Sequence, residues 1–231
     1  MTPATPALRL AVFDLDGTLV DSVHMIVAAM TDGFAALDLP APDPAKVRRI
    51  IGLPLEIAIS RLEPSLDPAA CGHVAESYKG AFAALRAAGE GGEALFPDVA
   101  RTLAALDAAG WLLAIATSKS MRGLTATLAN FGLAHHFVTL RTADHGPAKP
   151  APDMLLSALH ETGVDAGDAI MIGDTTYDME MARAARVAAI GVGWGYHPVE
   201  DLRATGAAAI APSMSALPAL AEDVVMRRMA S

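Results

Sequence analysis

The stretch Leu10-Ala11-Val12-Phe13-Asp14-Leu15-Asp16-Gly17-Thr18-Leu19 decides how this chain of 231 residues is interpreted. It opens with an apolar run that ends in a glycine turn, the pattern of a strand buried on both faces. Asp14 and Asp16 end the run on alternate residues, so a continuing strand would point both carboxylates the same way. A turn at Gly17 would break that alternation, and both arrangements stay open at this point.

Two acids at the end of a buried strand cost free energy unless a positive charge neutralises them. A hard divalent cation such as Mg2+ meets that need, because it binds one or two carboxylates together with water and substrate phosphate. The simpler alternative is a strand-to-turn junction in which aspartate acts only as a turn former. Two buried acids suit a plain turn poorly, so the sequence favours a metal site.

The composition excludes several classes of partner. The formal net charge is -9, and 53% of the residues are hydrophobic, enough for a sizeable core. No Lys and Arg cluster is longer than a pair, which argues against nucleic acid or an anionic membrane as partner. No run reaches the roughly 18 apolar residues that a membrane helix needs.

Two further features predict a cytoplasmic protein. Cys71 is the single cysteine, which rules out an internal disulfide and fits a reducing compartment. We interpret it as a buried helix residue rather than a nucleophile. Residues 1–6 lack the basic and apolar regions of a signal peptide. We expect a monomer or a homodimer.

The order of the predicted elements indicates an α/β protein with a doubly wound parallel sheet. After residue 92, continuous apolar runs alternate with helical patterns, as in parallel sheets covered by helices on both faces. Residues 20–92 show helical patterns only. The sequence therefore predicts an α/β catalytic core of residues 1–19 and 93–231, with a helical cap domain inserted over residues 20–92.

The individual elements follow from periodicity and from turn residues. The predicted strands cover residues 8–14, 111–117, 137–140, 169–173 and 188–192, with a short edge strand at 208–211. The predicted helices cover residues 23–37, 44–51, 54–63, 67–88, 99–109, 124–131, 154–162 and 178–185. A flexible hinge is predicted at residues 89–92, and residues 226–231 are expected to be frayed.

Polar residues follow the ends of three predicted strands. Asp14 and Asp16 end the first strand, Thr117-Ser118-Lys119 the second, and Gly173-Asp174-Thr175-Thr176-Tyr177-Asp178 the fourth. In a parallel sheet, ligands bind beyond the carboxyl ends of the strands, so the fold would bring these residues together. Lys149 precedes the fourth strand, in a proline-rich setting that restricts its backbone.

This set of groups suits phosphoryl transfer. One carboxylate can attack phosphorus and form an aspartyl phosphate. A divalent ion, a hydroxyl and an ammonium can neutralise the phosphoryl oxygens. A second acid can protonate the leaving oxygen and then activate water. The sequence offers one candidate for each of these roles.

The chain resembles the haloacid dehalogenase superfamily in its phosphatase form, and within it the phosphoglycolate phosphatase-like branch with a helical cap. The four motifs that carry the resemblance are Asp14-Leu15-Asp16-Gly17-Thr18, Thr117, Lys149 and Gly173 to Asp178. They occur in the family's order, and the resemblance spans nearly the whole chain. The chain departs from that branch at Ser118 and Met121, where the branch often has Asn and Pro.

The resemblance implies a role for each motif residue. Asp14 is the nucleophile, and Asp16 is the general acid/base that also offers its main-chain carbonyl to the metal. Thr117 binds the phosphate, and Lys149 orients both the nucleophile and the phosphate. Asp174 joins Asp14 and Asp16 in binding Mg2+. The other implied site residues are Gly17 and Ser118 in substrate binding, and Asp178 as a supporting acid or simply a helix start.

The implied activity is Mg2+-dependent hydrolysis of a small phosphate monoester, phosphoglycolate-like or a sugar phosphate, through an aspartyl phosphate. A β-phosphoglucomutase-like phosphosugar mutase shares the core motifs, but the cap shows no clear second phosphate site. A non-catalytic phosphate-binding protein on this fold is a third alternative. A dehalogenase is disfavoured because dehalogenases of the superfamily lack the second acid, which is present here as Asp16. A receiver domain is disfavoured because such domains carry no helical insertion.

Substrate choice is expected to depend on the cap, which closes over the leaving group and excludes water. The candidates to face the site are Arg48, Arg49, the turn Gly52-Leu53-Pro54, Lys79 and His24. A plain surface or turn role is at least as good an interpretation for each of them, and for His24 a partly exposed helix residue is the better one.

Overall fold

A computed structural model of the protein describes residues 8–89 and 92–229. The strands are β1 (Arg9–Phe13), β2 (Val20–Asp21), β3 (Ala94–Leu95), β4 (Trp111–Thr117), β5 (Phe137–Thr142), β6 (Ala169–Gly173), β7 (Ala188–Val192) and β8 (Ala209–Ala211). The helices are α1 (Val23–Ala35), α2 (Pro44–Ile50), α3 (Leu55–Leu62), α4 (Pro68–Ala88), α5 (Val99–Ala108), α6 (Met121–Phe131), α7 (Asp153–Thr162), α8 (Thr176–Ala184), α9 (Val199–Thr205) and α10 (Leu217–Met229).

Six strands form one parallel sheet in the order β5-β4-β1-β6-β7-β8. The strand β1 lies in the middle, where Phe13 pairs with Ile115 of β4 and with Ile172 of β6. The later strands extend outward from β1 on both sides. The direction of winding therefore reverses beside β1, and such a switch point leaves a crevice at the carboxyl ends of the strands.

Helices cover both faces of this sheet, as the continuously apolar strands require. Side chains alternate along β1, so Ala11 and Phe13 join the apolar cluster on the face covered by α5, α6 and α10. Leu10 and Val12 join the opposite cluster, which is covered by α7, α8 and α9. The fold is thus the doubly wound α/β architecture that the sequence predicts.

The helices α1 to α4 are inserted between β2 and β3, the two short strands that pair antiparallel with each other. They surround an apolar cluster of their own, and α1 packs along α4. Cys71 of α4 is buried in that cluster, as predicted. We propose that this insertion is the cap domain of the sequence analysis. Gly89 ends α4, and residues 90 and 91 of the predicted hinge lie outside the described residues.

The structure departs from the sequence prediction at the shortest elements and at the C-terminus. β2 lies inside the segment predicted to be wholly helical, but two residues are too few to show a strand pattern. α9 was missed because it buries only Leu202 and so shows no periodicity. α10 was also missed, and residues 226–229, expected to be frayed, are its last turn. Residues 230 and 231 lie outside the described part.

The remaining predicted elements occur with boundaries shifted by about three residues at most. Among the described residues, no helix combines the length and the apolar character that crossing a membrane requires.

Candidate active site

Asp14 lies directly after β1 and is 2% exposed. Its backbone N–H donates to the carbonyl of Ile172 (2.9 Å), which extends the pairing of β1 with β6 by one residue. The backbone N–H of Leu15 donates to Oδ1 of Asp14 (2.7 Å). The sheet and this local hydrogen bond therefore hold the carboxylate in a single orientation at the switch point.

Lys149 lies between two carboxylates in the interior of the site. Its Nζ is 2.8 Å from Oδ1 of Asp14 and 2.7 Å from Oδ1 of Asp178, and its side chain is inaccessible to solvent. Burial lowers the pKa of the Lys149 ammonium, but the charges of Asp14 and Asp178 outweigh burial, so its pKa is raised. Lys149 therefore stays charged beside Asp14.

Asp174 and Asp178 follow β6, and both are fully buried. The Thr18 hydroxyl donates to Oδ1 of Asp174 (3.0 Å), and the Tyr196 backbone N–H donates to its Oδ2 (2.9 Å). Oδ2 of Asp178 accepts from the backbone N–H (3.0 Å) and the hydroxyl (2.7 Å) of Thr175 at the start of α8. Asp178 thus caps a helix with one oxygen and pairs with Lys149 through the other.

Asp14, Asp174 and Asp178 form a compact acidic cluster. One oxygen from each lies within 4.8 Å of the others. Burial raises the pKa of Asp14 to about 6. The Lys149 ammonium opposes this shift, and the charge of Asp178 adds to it. Burial and the charges of Asp14 and Asp178 raise the pKa of Asp174 well above its usual value. The three carboxylates face one ammonium, that of Lys149, so negative charge is in excess, and their oxygens are donors that Mg2+ binds.

Two glycines let the backbone approach Asp174 closely. A Cβ added at Gly17 would lie 2.2 Å from Oδ2 of Asp174, and Gly17 also has a φ of +86°. A Cβ added at Gly195 would lie 2.1 Å from the Cβ of Asp174. Both positions therefore exclude any side chain, and together they confine the Asp174 carboxylate to the acidic cluster.

Asp16 faces a different set of partners from Asp14. Lys119 Nζ lies 2.9 Å from its Oδ1 and 3.1 Å from its Oδ2, and the Ser22 hydroxyl donates to Oδ1 (2.6 Å). β1 ends at Phe13 and the chain bends at Leu15, just before Asp16, so the strand alternation does not continue. The side chain of Asp16 is outside the acidic cluster, whereas that of Asp178 is inside it.

Glu93 is a site residue that the sequence analysis missed. Its side chain is 3% exposed, and its Oε1 lies 3.1 Å from Lys119 Nζ. Arg86 Nη2 donates to both of its oxygens (2.8 Å each), and the Thr127 hydroxyl also reaches it (3.2 Å). We call Arg86, Glu93, Lys119 and Asp16 the charged network. No motif marks Glu93, because its partners lie on α4, on α6 and after β4.

Thr117 and Ser118 end β4 beside the cluster. Thr117 is buried, and its Oγ1 accepts from the Lys119 backbone N–H (3.3 Å). The Ser118 hydroxyl donates to the carbonyl of Gly52 (2.6 Å), which joins the core to the turn between α2 and α3. Thr18 and Tyr196, which hold Asp174, were also missed. Thr18 lies inside the first motif, whereas nothing in the sequence marks Tyr196.

A cavity of about 830 Å³ lies between the α1–α4 insertion and the carboxyl edge of the sheet. Asp14, Asp16, Thr117, Ser118 and Lys119 line it on the core side. Of the predicted insertion residues, Gly52, Leu53 and Lys79 line it, whereas Arg48 and His24 are exposed elsewhere. Arg49 pairs instead with Asp201 at 2.6 Å. Lys149, Asp174 and Asp178 lie behind the cavity wall, beside Asp14.

Comparison with known proteins agrees with this arrangement. Residues 11–192 match the family model described as haloacid dehalogenase-like hydrolase. A protein of Dickeya dadantii named "Probable phosphatase IndB" is 39% identical over 198 residues, which cover 84% of this chain and 85% of that protein. A phosphoglycolate phosphatase of Mesorhizobium japonicum is 32% identical over 190 residues, covering 80% and 82%.

A solved structure shares the fold over nearly its whole length. The crystal structure of a hydrolase from Pseudomonas syringae has a TM-score of 0.82 and 26% identity, and the match covers 93% of this chain and 98% of that one. The family model spans the first strand to β7, and the motif residues converge at one edge of the sheet. On these grounds the chain belongs to the haloacid dehalogenase-like hydrolases.

Proposed function

We propose that this protein is a Mg2+-dependent phosphatase that hydrolyses a small phosphate monoester through an aspartyl phosphate on Asp14. The observation that carries the proposal is the buried Asp14 carboxylate at the cavity, held by the Lys149 ammonium at 2.8 Å. The relatives named above as phosphatases support the same reaction class.

The first step is attack by a carboxylate oxygen of Asp14 on phosphorus. The Leu15 N–H and the Lys149 ammonium orient that carboxylate, so the reacting oxygen does not need to be positioned during the reaction. The oxygen–phosphorus bond forms as the bond from phosphorus to the ester oxygen breaks. Thr117, buried at the end of β4, offers a hydroxyl to the phosphoryl oxygens.

Asp16 is proposed as the acid and base of both steps. It lines the cavity, outside the acidic cluster, on the side where a leaving group would lie. Protonated Asp16 gives its proton to the departing ester oxygen, and its carboxylate then accepts a proton from the water that attacks the aspartyl phosphate. Lys119 and Ser22 hold the carboxylate in place between the two transfers.

The acidic cluster fits Mg2+. Asp14 and Asp174 would hold the ion, Asp178 is close enough to support it, and the main-chain carbonyl of Asp16 is a further proposed ligand. When bound, Mg2+ supplies positive charge that offsets the phosphoryl oxygens and the clustered carboxylates. The neighbouring Thr18 hydroxyl and Tyr196 N–H keep Asp174 oriented toward the ion.

The test is phosphate release from a panel of phosphate esters, with Mg2+ and with a chelator. The panel contains phosphoglycolate, sugar phosphates, alkyl phosphates, nucleotides and pyrophosphate. We expect release that requires Mg2+ and disappears in Asp14→Asn. Asp223→Asn removes a carboxylate from a surface ion pair on α10 and serves as the control that keeps activity.

Two outcomes would contradict the proposal. One is equal release with and without Mg2+, and the other is unchanged activity in a folded Asp14→Asn protein. If no ester is hydrolysed, conversion of β-glucose 1-phosphate with a bisphosphate primer would identify a mutase instead.

A further inference from the structure

We propose that the substrate of this enzyme is the phosphate ester of an uncharged, largely apolar alcohol that is bulkier than a two-carbon acid. The inference rests on the proposed phosphatase function and concerns the cavity that receives the leaving group. Three properties of that cavity carry it: its wall, its volume and the pairing of its charges.

The insertion contributes an apolar wall to the cavity. The lining side chains come from α1, from the end of α2 with the turn that follows it, and from α4, so three separate segments present apolar surface to one space. The buried members of this wall are Ile26, Met30, Ile50, Ile51, Leu53 and Phe82. Apolar surface of this kind gains free energy when it covers an apolar ligand and gains nothing from a carboxylate.

The volume of the cavity exceeds what a very small leaving group needs. Cavities of roughly 300–1,000 Å³ typically bury ligands of drug size. The cavity here measures about 830 Å³. A two-carbon acid would leave most of the apolar wall in contact with water, whereas a longer or cyclic alcohol would cover it.

The cations nearest to Asp16 are already neutralised by the protein. Lys119 contacts both Asp16 and Glu93, and Arg86 binds Glu93 through two nitrogens. The charged network thus contains two cations and two carboxylates. Phe82 lies against both cations, with its ring centre 4.7 Å from Lys119 Nζ and 5.1 Å from Arg86 Cζ. An anionic leaving group would have to compete with Glu93 for Lys119.

The other cations that line the described part of the cavity are at its solvent side. Lys79 pairs with Glu76 at 2.6 Å, and both side chains are more than half exposed. Arg122, in the first turn of α6, is also exposed. Water and salt screen charges in such positions, so they attract a buried carboxylate weakly. A neutral leaving group avoids the cost of burying a charge without a partner.

The first experiment measures kcat/KM for ethyl, butyl and hexyl phosphate and for phosphoglycolate. These esters release alcohols of similar basicity, so differences report on binding of the leaving group. We expect each buried methylene to raise kcat/KM about fourfold, the equivalent of about 0.8 kcal/mol. The kcat/KM for butyl phosphate should be higher than that for phosphoglycolate. A flat or falling alkyl series, or a preference for phosphoglycolate, would overturn the inference.

The second experiment uses Glu93→Gln, which removes the carboxylate that competes for Lys119. We expect the ratio of kcat/KM for phosphoglycolate to that for butyl phosphate to rise on the order of tenfold. Asp223→Asn, with the same change of net charge on the surface, should leave the ratio unchanged. Both substrates are measured on one preparation, so the ratio does not depend on the folded fraction. An unchanged ratio in Glu93→Gln would contradict the role given to the network.

Binding of phosphonates separates this inference from the proposed function. Phosphonates are not hydrolysed, so calorimetry on the wild-type protein with Mg2+ reports on the cavity alone. We expect hexylphosphonate to bind more tightly than phosphonoacetate. If that order holds while no ester is hydrolysed, the phosphatase proposal fails and the inference about the cavity stands. The reverse order of affinity would refute the inference whatever the catalytic result.

Discussion

The ammonium of Lys149 lies 2.8 Å from a carboxylate oxygen of Asp14, and neither side chain is more than 3% exposed. Asp174 and Asp178 complete a buried group in which three carboxylates face one ammonium. Burial is the main cause of the raised pKa of both Asp14 and Asp174; the charge of Asp178 adds to it at both residues, and Lys149 opposes it at Asp14. Because the three carboxylates outnumber the one ammonium, we expect the site to bind a cation and to respond to pH.

Replacing Lys149 should destabilise the protein strongly. In Lys149→Met the buried carboxylates lose their ammonium, and breaking a buried pair in this way costs about 3–5 kcal/mol of the free energy of unfolding. Urea unfolding near neutral pH measures the loss. Lys79→Met removes an exposed pair and should cost no more than about 1 kcal/mol. Equal losses of unfolding free energy in the two variants would show that the buried carboxylates do not need the Lys149 ammonium.

Mg2+ should stabilise the protein more at neutral than at acidic pH. The pKa of Asp14 in the folded, metal-free protein is about 6, above its ordinary value of 3.8. Between those values the folded state retains a proton that the unfolded state releases, so the metal-free protein loses stability as pH rises. Mg2+ needs the deprotonated carboxylate and offsets this loss.

Thermal unfolding with Mg2+ and with a chelator, at about pH 5 and about pH 7.5, measures this linkage. We expect the Mg2+-induced rise in Tm to be larger at the higher pH. Asp14→Asn lacks the titrating group and should show a weaker dependence. A Mg2+ effect that is the same at both pH values would mean that the ion binds outside the acidic cluster.

Asp16→Asn should separate the two chemical steps. Esters with poor leaving groups need the proton of Asp16, so their hydrolysis should fall by about 10²–10⁴-fold. 4-Nitrophenol leaves without a proton, so 4-nitrophenyl phosphate should still form the aspartyl phosphate, whose hydrolysis is then slow. Rapid mixing should show a burst of nitrophenol comparable to the enzyme concentration. Asp14→Asn is the matched control and should give no burst.

A single methyl group at Gly195 should weaken Mg2+ binding. A Cβ there would lie 2.1 Å from the Cβ of Asp174, so Gly195→Ala must displace that carboxylate. Disturbed support of a metal ligand typically costs about 10- to 100-fold in affinity. Gly72→Ala adds the same group within α4, where no atom lies within 4 Å. That control should keep its Mg2+ affinity and gain about 0.5–1 kcal/mol of stability.

Much of the core was predictable because its signals are local. The apolar runs of β1, β4, β6 and β7 are continuous in sequence, and a parallel sheet necessarily gathers the residues that follow its strands. Asp14, Thr117 and Asp174 lie at one edge of the sheet for this reason. Their proposed roles remain predictions for the experiments above.

Other features were not predicted from the sequence. α9 buries only Leu202, so periodicity did not predict it. α10 does bury Leu217, Ala221, Val224 and Val225 at helical spacing, so its signal was present and was overlooked. The sequence left open whether Asp14 and Asp16 point the same way; in the structure the chain bends at Leu15, and the carboxylate of Asp16 contacts Lys119. The side chain of Asp178 joined the cluster because the first turn of α8 directs it at Lys149.

The amino-acid sequence alone predicts the parallel sheet, the insertion after its first strand and the set of acids and bases at its edge. Strand patterns and motifs are properties of residues that are close in the chain, so they can be recognised from the sequence. The pairing of Glu93 with Lys119 is visible only in the folded protein, as is the apolar wall that the insertion presents to the cavity. Those contacts join segments far apart in the chain, and they form only when the insertion packs against the core.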